Sequence, residues 1–212
     1  IRESVHGPRQ PETVRGTQPV AVKTLLQAIN RMIDQHTVVI ADTGDAMFAA
    51  MDLLIPSQMG FMAPMYYASL GFAVPASIGV QLARPDMRPL VLVGDGAFQM
   101  TGMELSTIAR YGLTPIVVVL NNRGYGTERP LLDGPYNDLW SWQYERLTDV
   151  LRTGIGRDVR TIAQLEAALS DAIADPTQFS LLNVHLDEWD FSPALKQLGR
   201  IVSQKVQTPA AG

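Results

Sequence analysis

The chain has 212 residues, 46% hydrophobic and 18% charged, a globular balance that one α/β domain with short appendages accommodates. Its net charge is −4 with no basic tract, which argues against nucleic acid as a partner. It contains no cysteine, so disulfides, thiolate metal sites and a cysteine nucleophile are excluded, and a reducing, cytoplasmic setting is expected.

Residues 1–18 are polar and lack hydrophobic periodicity, and they read as an arm or linker from a preceding domain. The first residue is Ile1 rather than Met, so a piece of a longer chain is expected. The main domain is expected over 19–205, with a short tail at 206–212. Pro19 looks like a first-turn proline, and Val22, Leu25, Leu26, Ile29 and Ile33 follow at helical spacing, predicting a helix over 19–34. TVVIAD (37–42) predicts a strand that ends in Asp42-Thr43-Gly44-Asp45, and Ala46 to Leu54 a helix. Residues 55–70 read as a loop rich in Met and Tyr.

ASLGFAVPASIGVQLA (68–83) is apolar but carries Pro75, Ser77 and Gln81, so it predicts a buried helix over 72–83 rather than a membrane span. PLVLVG (89–94) is the second predicted strand, MTGMELSTIARYG (100–112) a helix with a glycine C-cap, and TPIVVVLNN (114–122) the third strand. Residues 124–147 are aromatic and turn-rich, with short helices at most. Thr161 and Gln164 make a capping box for a helix over 162–174, FSLLNVHLD (179–187) is the fourth strand, and Ser192-Pro193 opens a last helix to 204.

This alternation predicts an α/β fold: a mainly parallel sheet with helices on both faces. In such sheets ligands bind outside the carboxyl ends of the strands. Three strands end in DTGD, GDG and NNRGYG, so these clusters are expected on one edge. Taken alone, Gly94-Asp95-Gly96 is a turn sequence. Asn122, however, lies 27 residues on, after one αβ unit that returns the chain to the same edge. An Asp oxygen, an Asn amide oxygen and the Gly124 carbonyl are hard ligands suited to Mg²⁺ or Ca²⁺, and a Mg²⁺ with so few protein ligands expects phosphate oxygens and water. Backbone N–H groups at Gly96, Ala97 and the following helix start would serve the anion.

GDG, an αβ unit and then NN with glycine two residues on resembles the diphosphate motif of thiamine-diphosphate enzymes. ADTGDAMF (41–48), LGFAVPASIG (70–79), VGDGAFQMTGMELSTIARYGLTPIVVVLNNRGYGTE (93–128) and DGPYNDLWSW (133–142) are similar to the C-terminal cofactor domain of 2-oxo-acid decarboxylases acting on pyruvate, indolepyruvate or phenylpyruvate. The resemblance runs over about 20–200. It implies a thiamine-diphosphate-binding fold, with thiamine diphosphate and Mg²⁺ as cofactors. It implies that Asp95, Asn122 and the Gly124 carbonyl hold Mg²⁺, and that Gly94 to Ala97 and Thr127 meet the diphosphate. Thr43, Gly44 and Asp45 would line the cofactor, Leu70 would prop it in its bent form, and the Ala68 carbonyl would meet its aminopyrimidine. Three departures stand out: Ala68 where the family often has glycine, Asp42 where it often has glutamate, and Ala97 where serine is common.

Glu128 matches the glutamate that serves proton transfer in these decarboxylases; the alternative is a solvated carboxylate paired with Arg123 or Arg129. The expected substrate is a small 2-oxo acid, bulky or aromatic. The resemblance also implies a homodimer or homotetramer in which N-terminal domains, absent from this stretch, complete the site, so that the fragment alone is inactive. The rival readings are an acetolactate-synthase-like carboligase domain and a non-catalytic cofactor-binding or assembly module. Asp42 and Asp45 are equally suited to cap the helix starting near Ala46. Met65, Tyr66 and Tyr67 either line an aryl pocket or fill loop core, and Trp140, Trp142 and Tyr144 either pack inside or face substrate or a partner. His6, His36 and His185 have no ligand spacing, and Gly154-Ile155-Gly156 fails the dinucleotide fingerprint.

Overall fold

A computed structural model of the chain describes residues 16–56 and 60–207; most of the expected arm and all but the first two residues of the expected tail, with His6, fall outside them. Its strands are β1 (Thr37–Ala41), β2 (Phe61–Met62), β3 (Arg88–Gly94), β4 (Ile116–Asn121), β5 (Ile155–Val159) and β6 (Ser180–His185). The α-helices discussed below are α1 (Val22–Asn30), α2 (Asp45–Ala50), α3 (Ala73–Ala83), α4 (Asp95–Thr101), α5 (Leu105–Arg110), α6 (Leu147–Leu151), α7 (Ile162–Ala174) and α8 (Pro193–Gln207).

All the strands pair in parallel, in the order β2-β1-β3-β4-β6-β5. Parallel pairing requires crossovers, and helices on both faces supply them. Period-two alternation splits the apolar runs between two cores. Val39, Leu90, Leu92 and Val118 face α1, α2 and α7, whereas Ile40, Val91, Val93 and Val117 face α3, α4 and α5. Because the strands are parallel, the residues after β1, β3 and β4 emerge at one edge, as the sequence predicts.

Several boundaries differ from expectation for identifiable reasons. Pro19 does not open α1; it forms an antiparallel bridge with Thr161, and the Gln18 carbonyl accepts the Ile162 N–H at 3.0 Å. The helix after β3 starts at Asp95 rather than residue 100, and a 3₁₀ turn at Gly102–Glu104 divides it from α5. Gly102 in that turn serves packing: a Cβ there would lie 2.5 Å from the Phe98 ring. Gly112 does end α5 with φ +61°. β2 is too short to leave a periodic pattern, and β5 is an edge strand whose exposed Arg157 and Asp158 break the apolar run. The capping box forms as read: the Gln164 N–H donates to the Thr161 hydroxyl at 3.3 Å, and the Thr161 N–H to the Gln164 side chain at 3.1 Å.

Candidate cofactor site

A cleft of about 270 Å³ opens at the carboxyl edge of the sheet. The turn after β1 brings Thr43, Gly44 and Asp45 to it; the loop before α3 brings Ala68 and Leu70; the β3–α4 junction brings Gly94, Asp95, Gly96 and Ala97; and the segment after β4 brings Asn122, Gly124, Thr127 and Glu128. Among the described residues the lining contains four acids, Asp45, Asp95, Glu128 and Asp190, and no lysine, arginine or histidine.

Asp95 sits at the centre, fully buried. Its Oδ1 accepts the Gly96 N–H at 2.9 Å and its Oδ2 the Gly124 N–H at 3.1 Å. Burial pushes its carboxyl up to about 7, against the downward pull of the backbone N–H groups of Gly96, Arg123 and Gly124. The Gly96 N–H is thus bonded to the neighbouring carboxylate rather than left open. Nor does Gly96 leave open space: a Cβ there would lie 2.6 Å from the Tyr125 ring and 3.0 Å from Leu139. The open glycine is Gly94, with no atom within 4 Å of an added Cβ. At Gly124 a side chain would collide with the Asn137 carbonyl. Gly44 has φ +106°, and a Cβ on it would lie 3.2 Å from the Thr127 hydroxyl, so the turns after β1 and β4 face each other across the cleft.

Neither Asp42 nor Asp45 has the helix-capping role considered from sequence. Asp42 turns away from the cleft and is fully buried. Its Oδ1 accepts the N–H groups of Thr43 at 2.9 Å and Gly71 at 3.0 Å, and its Oδ2 accepts that of Ala73 at 2.7 Å. It thus holds the start of α3 and the loop bearing Leu70. Asp45 lines the cleft, but its oxygens accept the Ser192 N–H at 2.9 Å and the Ser192 hydroxyl, which fixes the start of α8. Burial first, then the nearby Asp190, raises its pKa, opposed by Ser192. Ala68 adopts φ +55°, a left-handed conformation that explains the family's glycine at this place.

Glu128 is exposed at the cleft rim, and among the described residues no hydrogen bond or ion pair reaches its carboxylate. The alternative pairings do not form: Arg123 pairs with Glu188 at 3.2 Å, and Arg129 with Asp133 and Asp138. Met65, Tyr66 and Tyr67 are exposed rather than loop core, and Trp140 is 87% exposed. Tyr144, by contrast, is buried edge-on against Phe98 at 5.4 Å. Two cleft residues have no local sequence signal. Tyr125 covers Gly96, and Asp190 accepts the Val22 N–H at 2.7 Å, capping α1 from 168 residues away. Among the described residues no group of three or more His, Cys, Asp or Glu could hold a metal ion. The oxygens at this edge come instead from one buried carboxylate, a carboxamide and backbone carbonyls.

Residues 42–184 match the family model of the thiamine pyrophosphate enzyme, C-terminal TPP binding domain. The chain belongs to this family. The TPP-binding domain is similar to Pyruvate decarboxylase 1 of Arabidopsis thaliana, 34% identical over 94% of this chain and 34% of that protein. It is also similar to Indole-3-pyruvate decarboxylase of Azospirillum brasilense, 38% identical over 89% of this chain and 37% of that protein. Pyruvate decarboxylase 2 of Pisum sativum is 34% identical over 91% of this chain and 49% of that protein. The TPP-binding domain thus spans roughly a third to a half of the relatives it matches.

Proposed function

We propose that this chain is the Mg²⁺-dependent cofactor domain of a non-oxidative 2-oxo-acid decarboxylase. The observation that carries the proposal is the charge of the cleft: among the described residues four acids and no basic side chain line the space where a diphosphate would sit. A polyanion can enter such a site only with a divalent cation between it and the carboxylates. Asp95, the Asn122 carboxamide and the Gly124 carbonyl would hold Mg²⁺. The Ala97 N–H, the Thr127 hydroxyl and the open Gly94 would receive the diphosphate, and Thr43, Gly44 and Asp45 would flank it. Ala68 and Leu70 would meet the rest of thiamine diphosphate.

Bound there, thiamine diphosphate supplies an electron sink for loss of CO₂ from a 2-oxo acid. Asp95 must be ionised to hold the cation, and the cation offsets the burial that otherwise favours its protonated form. Glu128 would carry the proton: its carboxyl group, unpaired at the rim, would give a proton to the reacting carbon so that the aldehyde can leave, and would take up another from solvent when the product departs. The substrate would be a bulky or aromatic 2-oxo acid, a reading supported by a relative at 38% identity that is named for indole-3-pyruvate.

Tyr66 and Tyr67, at 104% and 86% exposure, directly precede the cleft-lining Ala68 in the chain, and a homodimer or homotetramer would cover them with N-terminal domains. Glu128 would then leave water, and the fragment alone would be inactive. Among the described residues no helix is long and apolar enough to cross a membrane. A chain without cysteine suits a reducing, cytoplasmic setting for the enzyme.

The test is to give the full-length protein thiamine diphosphate, Mg²⁺ and pyruvate, phenylpyruvate or indolepyruvate. CO₂ with aldehyde supports the proposal. CO₂ with an acyloin or acetolactate would replace it with carboligation, and no turnover with bound cofactor would indicate a non-catalytic module.

A further inference from the structure

Among the described residues Arg129 is the one lysine or arginine that is buried, and the chemistry above does not use it. Its side chain is 4% exposed. Nη1 donates to Asp133 at 3.0 Å and Nη2 to Asp138 at 2.7 Å, four and nine residues on, while the buried Nε–H has no partner. These contacts lie within a loop with a closed neck. Gly124 bridges Asp138, the Tyr125 N–H donates to the Asn137 carbonyl at 2.9 Å, and the Leu139 N–H donates to the Arg123 carbonyl at 3.1 Å. Asn137 adds bonds to the Leu132 carbonyl at 2.9 Å and to Asp133 at 3.2 Å.

Glu128 is the residue before Arg129. Its own N–H donates to the Tyr125 carbonyl at 3.1 Å, and its carbonyl accepts from Leu131 at 2.9 Å and Leu132 at 3.0 Å. One side chain points into the loop and the next out to the cleft. We propose that Arg129 is the positioning residue for Glu128: by joining Asp133 and Asp138 inside the loop, the guanidinium fork fixes the turn that holds Glu128 at the cleft rim. This role rests on the proposed proton transfer by Glu128. A planar fork suits it, because an ammonium is a point charge that cannot span two carboxylates in fixed geometry. Asp133 and Asp138 are 39% and 62% exposed, so without Arg129 they stay hydrated, and the turn rather than the fold is what loosens.

The test is a double-mutant cycle in the full-length protein loaded with thiamine diphosphate and Mg²⁺, on whichever of pyruvate, phenylpyruvate and indolepyruvate it turns over fastest. Arg129→Met is expected to lower kcat about tenfold while cofactor affinity stays within about twofold. Added to Glu128→Gln, it should change kcat by less than about twofold, because the group it positions is already gone. Asp138→Asn, at an exposed carboxylate, supplies a second folded variant with a loss of about threefold that also depends on Glu128. If Arg129→Met lowers kcat by the same factor in both backgrounds, this role is overturned and that of Glu128 stands. If Glu128→Gln alone keeps full kcat, the proton-transfer role falls, and the role of Arg129 with it.

Discussion

The Asp95 carboxylate accepts the backbone N–H of Gly124, 29 residues on, at 3.1 Å. That bond ties the end of β3 to the loop after β4, so that Asp95, Asn122 and Gly124 line one cleft. Burial favours the protonated form of this acid.

The first consequence concerns stability without metal. The Asp95 pKa is raised by burial to about 7, so between about pH 4 and 7 the folded state binds more protons than the unfolded state. This contribution is fully present below the unfolded pKa near 3.8 and is lost as pH rises through about 7. Asp42 and Asp45, also raised by burial, act in the same direction. Asp95→Asn should raise the Tm of the metal-free protein at pH 7.5 by about 4 °C or more and flatten its decline above pH 5. Thermal melts against pH measure this, and a lower Tm for the variant at neutral pH would contradict it.

Asp42 holds three backbone N–H groups at the base of the Leu70 loop. Asp42→Ala leaves these donors without that partner and should cost about 2 kcal/mol or more in urea unfolding. A loss below about 0.5 kcal/mol would mean that water or other groups replace the carboxylate.

Ala68 is held at φ +55°. Ala68→Gly should therefore stabilise the protein by up to about 1 kcal/mol and leave cofactor affinity intact, since any contact there is through the carbonyl. Ala68→Val should destabilise by more than about 1 kcal/mol. Equal stabilities across the three would show that the turn relaxes.

The parts legible in the sequence share one property: their signal is local. β1, β3 and β4 are β-branched runs ending in polar turns, and parallel pairing alone brings those turns together. The capping box at Thr161 is equally local. What escaped depends on distant partners. Nothing near Asp190 indicates that it caps Val22, and nothing near Asp42 indicates that it serves Gly71 and Ala73 rather than the helix beside it. Nor does anything near Gly96 indicate that Tyr125 folds over it from another strand's loop.

The most direct measurement is the affinity of the full-length protein for thiamine diphosphate with Mg²⁺ and with excess EDTA, by calorimetry, in wild type and Asp95→Asn. Removing the cation should weaken binding by at least about 100-fold, and the variant should bind weakly in both conditions. Equal wild-type affinity with and without the cation would contradict the proposal that this acidic, cation-free cleft holds a diphosphate through Mg²⁺ on Asp95.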